Sequence, residues 1–345
     1  MKEHWIPWGK KSDQHSSDCV QIHPLLDHMM DVAAVLEALL QLPGISRALE
    51  RVAGRPLSDV DCARLAVLAF LHDIGKANTG FQVRYWNKRT ERPAAWSVCE
   101  CGHGPQGWAL FRGSLHGAER VTAGLPLEAM DTWGEAVIPL LFASISHHGR
   151  PVDECATFSI WQPIQEGATC IYDPAETVAA MGACVQTLYP LAFTSDAPDL
   201  PNSSAFAHLF AGLVQLADWL GSDSRPGFFP YSEPGEDRAA TAPQRAQNAL
   251  RAVGLDVGHA TKRQASTVCD FTQAFGVPSP RPMQAAMADS SLGPVVVLEA
   301  ETGSGKTEAA LWRFLHLWRA GQVDALYFAL PTRVAATQLY ERVVD

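Results

Sequence analysis

The eight cysteines form no Cys-x-x-Cys pair; they are scattered from Cys19 to Cys269. That scatter excludes a zinc ribbon and a thioredoxin-like redox motif. No apolar run approaches the ~18 residues of a membrane span. The opening MKEHWIPWGKKSDQ has basic residues with no apolar stretch behind them, so it does not read as a secretory signal. A cytoplasmic protein without membrane contact is expected. Positive charge is also scarce: 27 Lys and Arg against 37 Asp and Glu leave a formal net charge of −10. Contact with nucleic acid would therefore run through a local basic surface or bound metal cations, not through the whole molecule. What is plentiful is apolar residue, at 47%, which excludes disorder. At roughly 150 residues per domain the 345 residues suggest two domains.

Helical periodicity dominates the first two thirds. Apolar residues at 25, 26, 29, 32, 36 and 39 predict a helix over 24–42, stopped by Pro43-Gly44. Residues 58–72 begin with a Ser cap and become apolar on every side, the mark of a buried helix. Further helices are expected at 114–122, 131–147 and 205–221, with no convincing strand before residue 290. From Ser222 to about Pro243 the chain turns to Pro, Gly and charge, as in a linker. After it come a β-branched run (Val295–Glu299), a Gly-rich turn, a helix over 306–319 and a second apolar run (Ala325–Leu330), an α/β beginning. The expected division is 1–225, a linker and connecting helix over 226–275, and 276–345.

Seven candidate ligands carry chemistry in the helical part. His72-Asp73 closes the buried helix, with Gly75 to turn the chain away and Lys76 just beyond. His28 lies mid-helix among apolar residues, His116 opens HGAERV, His147-His148 ends another apolar helix, and Asp218 sits in LADWL. A buried carboxylate costs several kcal/mol without a partner. Taken singly each residue reads as structural; placed together at helix ends and buried faces, they read as one shared site. Imidazole plus carboxylate without thiolate suits Fe, Mn, Co, Ni or Zn. The count allows two divalent ions: His28, His72, Asp73 and Asp218 around one, with Asp73 bridging to His116, His147 and His148 around the other. Such a pair supports phosphoester hydrolysis, with Asp73 catalytic and Lys76 placing charge near the scissile phosphate. Cys99-Glu-Cys101-Gly-His103 reads instead as free cysteines in an exposed insertion, because a second ligand half is missing.

This constellation resembles the HD phosphohydrolase superfamily, whose pattern is H…HD…D, and within it the two-metal nuclease branch. The resemblance covers residues 20–222 and implies an all-helical fold with the metals in a central cleft.

Ala300-Glu-Thr302-Gly303-Ser304-Gly305-Lys306-Thr307 is a Walker A loop with alanine at its first position, placed between a β-branched run and a helix. Backbone N–H groups freed by the glycines cradle phosphates, Lys306 meets the β/γ phosphates and Thr307 holds magnesium. Arg281-Pro282-Met283-Gln284 is similar to the adenine-reading motif of superfamily 2 helicases, and Leu330-Pro331-Thr332-Arg333 to their DNA-backbone motif. The fold class expected is thus mostly α: an all-helical HD domain, then the incomplete start of a RecA-like α/β helicase domain.

An HD nuclease ahead of a superfamily 2 helicase resembles the CRISPR-associated helicase–nuclease of type I interference systems, closest to type I-E. Trp8-Gly9-Lys10, HPLLDHMMDVAAV, LHDIGKANTGFQ, SHHG and ADWLGSD carry that resemblance. It implies a monomer recruited by the RNA-guided Cascade complex to the displaced strand, where it nicks and degrades single-stranded DNA. ATP and magnesium would serve the full helicase. No Walker B acidic box follows, so the 345-residue chain is expected not to unwind DNA or turn over ATP efficiently. DNA-stimulated ATPase assay of the chain checks this. Between Phe81 and Arg92, four cations against one acid, interleaved with aromatics, point to Arg84, Tyr85, Trp86, Lys88 and Arg89 as a single-strand path. A surface loop whose aromatics pack on the core is the other reading of that stretch. The alternatives to the nuclease are an HD phosphohydrolase acting on nucleotides or cyclic dinucleotides, and a Cascade-docking module without catalysis.

Overall fold

The computed structural model describes residues 5–12, 21–86, 92–113, 115, 117–153, 159–258, 270–323 and 325–344. His116, Lys88 and Arg89 lie outside the described residues. The chain divides into two compact units, residues 1–253 and 254–345.

The first unit is built around α1 (Leu25–Leu40). Met29, Val32, Ala33, Val35, Leu36 and Leu39 are wholly buried, so α1 is covered on nearly every side. Each large apolar side chain so buried contributes about 1.5–3 kcal/mol. Pro43 stops that helix and serves as the first residue of α2 (Pro43–Ala53). Next comes α3 (Asp59–Phe70), whose Ser58 and Asp61 form a reciprocal capping box. A 3-10 turn over Leu71–Ala77 follows, where Asp73 leaves helical geometry (φ −109°, ψ 19°). Short helices α4 (Thr79–Gln82), α5 (Gly104–Ala109), α6 (Ala118–Thr122) and α7 (Leu127–Asp131) lead to α8 (Val137–Ile145). Then come α9 (Pro174–Leu188) and α10 (Ser204–Gly221), the latter capped by the Ser203 hydroxyl. Helices α3, α10 and α11 (Arg238–Ala252) pack directly on α1.

Three expectations need correcting. The first unit is not purely helical: β1 (Trp8–Lys11) pairs with β2 (Ile22–Pro24), and β3 (Ile164–Glu166) with β4 (Thr169–Tyr172), both antiparallel. Ribbons of three or four residues are too short to show period-two alternation. Residues 238–252, assigned above to the linker and connecting helix, form α11 on the core. A buried stripe of Ala242, Ala246, Ala249 and Leu250 seats it, hidden in the sequence by Pro243 and by the small size of alanine. In the second unit Lys306–Arg319 is helical as expected, but 295–299 and 325–330 are not paired strands among the described residues. Val295, Val297 and Tyr327 are 80–91% exposed, and a strand exists only through the hydrogen bonds of a neighbour.

Candidate metal centre

Three segments far apart in sequence meet at Asp73. Helix α1 supplies His28, the turn after α3 supplies His72 and Asp73, and the last turn of α10 supplies Asp218. Asp73 Oδ2 lies 3.0 Å from His28 Nε2 and 3.1 Å from His72 Nε2. Asp218 Oδ1 lies 3.5 and 3.7 Å from those same two nitrogens. The ligand atoms of these four residues all fall within 4.8 Å of one another.

The other oxygen, Asp73 Oδ1, faces a second group. It is 3.2 Å from His103 Nε2 and 3.8 Å from His147 Nε2. His148 Nε2 is 3.0 Å from His103 Nε2, so His103, His147 and His148 form a second cluster of potential ligands. Asp73 thus presents one oxygen to each cluster, the geometry of a bridging carboxylate.

The surrounding fold orients these rings. His72 Nδ1 bonds Ala69 O at 2.8 Å and His147 Nδ1 bonds Ser144 O at 3.0 Å, which leaves each Nε2 facing inward. Ser144 also donates to Leu68 O at 2.7 Å, tying α8 to α3 so that the two histidine-bearing helix ends meet. Gly75 lets the loop carrying His103 approach: a Cβ there would sit 1.9 Å from His103 O. Gly75→Ala should therefore push His103 out and destabilise the fold by about 1–3 kcal/mol. Thermal unfolding together with metal titration checks both effects.

Electrostatics favour a cation in this site. Burial opposes ionisation of Asp73, yet Lys76, His72 and His103 hold it well below the usual carboxylate range. Asp218 is likewise held down, chiefly by His72, against its burial. Burial pulls His103 down to about 4 and His147 to about 3, so both rings are neutral at pH 7 with lone pairs to offer. His28 is also lowered by burial and by Lys76. His72 is the exception: burial is outweighed by Asp73 and Asp218, which push it up to about 9. Two buried carboxylates demand positive charge, and the protonated His72 ring and Lys76, in contact with Asp73 Oδ2, supply it. His28 Nδ1, His72 Nε2 and Asp73 Oδ1 are buried without a hydrogen-bond partner, although the last two lie within 3.2 Å of neighbouring ligand atoms. An Asp73 Oδ1 without a hydrogen bond, on a buried donor set of imidazole and carboxylate, fits divalent cations.

Of the seven metal positions expected from the sequence, His28, His72, Asp73 and Asp218 come together, as do His147 and His148. The histidine that joins the last two is His103. Sequence reasoning sets it aside with Cys99 and Cys101 as part of an exposed insertion, because no second ligand half lies nearby in the sequence. Cys101 Sγ instead donates to Asn78 Oδ1 at 3.1 Å, and Cys99 is exposed. Metal analysis should show bound ion unchanged in Cys99→Ala and Cys101→Ala and lowered in His103→Ala.

The single-strand path fares differently. Trp86 stacks on Trp5 (4.7 Å between centroids) and lies 4.8 Å from Trp96. Tyr85 meets Trp5 edge-on, and exposed Arg84 lies over the Phe81 ring. Trp5 and Trp86 pack against a small cluster around Trp96 and Tyr172, and Tyr85 and Trp86 stay half-buried.

In the second unit, Gln284 is buried against the Walker A loop. Its Nε2 donates to Gly305 O at 3.1 Å and its Oε1 accepts from Arg281 N at 2.8 Å. Gly303 and Gly305 take positive φ (77° and 91°), and Lys306 Nζ donates to Ala300 O and Glu301 O. Thr302, Ser304 and Thr307 lie in the same loop and first helical turn.

Comparison with known proteins agrees with both units. The model of the Cas3 HD domain matches residues 8–226, and that of the DEAD/DEAH box helicase matches 281–345. The CRISPR-associated endonuclease/helicase Cas3 of Thermus thermophilus is 30% identical over 93% of this chain, which covers 34% of that protein. Its Escherichia coli counterpart is 28% identical over 97% of this chain and 39% of its own length. The chain therefore spans little more than a third of these curated relatives. A crystal structure of a CRISPR-associated protein superposes with TM-score 0.65 at 27% identity, over 99% of this chain and 37% of that one. The ATP complex of T. fusca Cas3 has TM-score 0.61 at 22% identity, over 98% and 37%, and shares the fold. With a metal-competent cluster of His28, His72, Asp73 and Asp218 inside the matched region, and the match covering well over half of its residues, the chain belongs to the Cas3 HD domain family.

Proposed function

We propose that the first unit is a metal-dependent nuclease that hydrolyses phosphodiesters of single-stranded DNA in CRISPR interference, and that the second begins an ATP-driven helicase. The observation that carries this reading is the two-sided Asp73, with one oxygen toward His28 and His72 and the other toward His103 and His147. Divalent cations held by these residues supply Lewis acidity toward a phosphodiester and activate water at neutral pH. The protein's own part is to fix the donors and to balance charge. Asp73 and Asp218 neutralise bound cations, the neutral His103 and His147 rings donate lone pairs, and Lys76 keeps an ammonium beside Asp73 that can face a substrate phosphate. Asp218 is part-exposed and His148 exposed, so the cluster opens to solvent on that side.

The relatives named Cas3 support the nuclease and helicase assignment. A solved assembly described as a CRISPR RNA-guided surveillance complex, pre-nicking, aligns over 99% of this chain at 20% identity. Recruitment by Cascade is part of the proposal, as are a monomeric state and a cytoplasmic location. The test is incubation of the chain with circular single-stranded DNA, in separate reactions with Mn2+, Co2+ or Ni2+. Linearisation and degradation are expected. Release of phosphate from free nucleotides with the circle left intact would overturn the DNA reading in favour of a nucleotide phosphohydrolase.

A further inference from the structure

Trp8-Gly9-Lys10 opens β1 (Trp8–Lys11), at the edge of the metal centre, and touches each element that delivers a ligand to the first cluster. Trp8 is joined to the segment after the His72-Asp73 turn. Its Nε1 donates to Gln82 O at 3.1 Å, its backbone N donates to Gln82 Oε1 at 3.0 Å, and Gln82 Nε2 donates back to Trp8 O at 3.0 Å. The same Gln82 amide donates to Lys76 O at 2.7 Å, inside that turn, and the whole Gln82 side chain is buried. Gly9 lies at the register shift of the β1–β2 ribbon and is where His28 passes: a Cβ there would sit 3.1 Å from His28 Cβ and 3.2 Å from Leu25 Cα. Lys10 reaches the third element. Its Nζ donates to Ser222 O at the end of α10, and the Ser222 hydroxyl donates to Asp218 Oδ1 at 3.2 Å.

We propose that β1 is a clasp that positions the first cluster, in which Lys10 and Ser222 act as positioning residues for the ligand Asp218. The carboxylate of Asp218 hangs from the last turn of a helix, where backbone hydrogen bonds are fewest and fraying is easiest. Lys10 secures the carbonyl that follows, and the Ser222 hydroxyl selects the rotamer that turns Oδ1 toward His28 and His72. On the other side Gly221 allows α10 to close on α1, since a Cβ there would meet Val32 N at 3.2 Å. Outer hydrogen bonds of this kind orient metal ligands and typically change metal affinity 10–100-fold when removed. A strand that merely fastened the N-terminal segment would hold the fold together and leave the affinity for metal untouched.

The inference rests on the metal-site reading, and one titration separates the two. Mn2+ binding is measured calorimetrically on the 345-residue chain, on Ser222→Ala, on Lys10→Met and on Ser222→Thr, alongside the unfolding midpoint of each without metal. Expected are about 10-fold or more weaker binding in Ser222→Ala and Lys10→Met, near-normal binding in Ser222→Thr, and a metal-free midpoint for Ser222→Ala close to that of the unchanged chain. Should Lys10→Met fail to fold, the Ser222 pair carries the test alone. Equal affinity in Ser222→Ala and the unchanged chain overturns the positioning role, as does weaker binding that only follows a lowered midpoint. No binding by the unchanged chain overturns the metal reading itself, and the clasp with it.

Discussion

Asp73→Ala is expected to abolish cleavage of single-stranded DNA, by at least about 10^3-fold, and to remove most of the chain's divalent-metal binding. Among the described residues Asp73 is the one most closely shared by the two clusters: its two oxygens face His28 and His72 on one side, and His103 and His147 on the other, while Asp218 reaches the second cluster only at 3.9 Å from His147 Nε2. Loss of any one histidine leaves a partial set on one side only, so single His→Ala variants should retain more activity than Asp73→Ala. The substitution also leaves positive charge behind. His72 owes its shift up to about 9 first to Asp73 against its burial, and Lys76 contacts the same carboxylate. Removing Asp73 should let His72 shed its proton more readily, which limits the damage to the fold. Circular dichroism is expected to show native helix content in the inactive variant. An Asp73→Ala chain that still cuts DNA at a comparable rate would remove the metal centre from the mechanism.

The largest effect on stability is expected away from that centre, at Arg238. Its guanidinium forms a two-pronged pair with Asp31, Nε to Oδ1 at 2.6 Å and Nη2 to Oδ2 at 2.7 Å, with both side chains wholly buried. His23 Nε2 lies 2.8 Å from Asp31 Oδ2, and Arg238 also donates to Pro230 O at 3.1 Å. Removing one partner of a buried pair strands the other charge, at a cost of about 3–5 kcal/mol. At roughly 2–4 °C per kcal/mol for a unit of this size, Arg238→Met should unfold on the order of 10 °C lower. The loss comes from stranding Asp31 rather than from the attraction alone, so Asp31→Leu/Arg238→Met should recover much of it. A double-mutant cycle on the thermal midpoint checks this. An Arg238→Met midpoint within about a degree of the unchanged chain would contradict it.

Most of the helices could be read from residue order because their signals are local. The apolar repeat of 25–40, the Ser58 cap and the helix opening at Lys306 each depend on neighbours within a turn or two. What escaped was non-local. The alanine stripe of α11 has meaning only against the surface of α1, and its Pro243 pointed the other way. The β1–β2 ribbon pairs Trp8–Lys11 with Ile22–Pro24 across an intervening stretch, too briefly to leave a pattern. The expected strand at 295–299 shows the converse error: β-branched composition is only half of a strand, and the ladder partner is the other half. Trp86 was legible as an aromatic in a basic stretch. That it stacks on Trp5 in particular, one form of the packed reading the sequence also offered, needed the fold.

By itself the sequence determined the chemistry on offer: which histidines and aspartates could ligate a cation, which loop could cradle a phosphate, and that no thiolate pair competes. Those are properties of residue types and short spacings. Only the tertiary structure decided that His103 stands beside His147 and His148 and that Asp73 turns one oxygen to each cluster. It alone seated Lys10 and Ser222 behind Asp218. Ligation requires atoms within a few ångströms of one another, and segments far apart in the chain reach that distance only when a common core holds α1, the turn after α3, α8 and α10 in place.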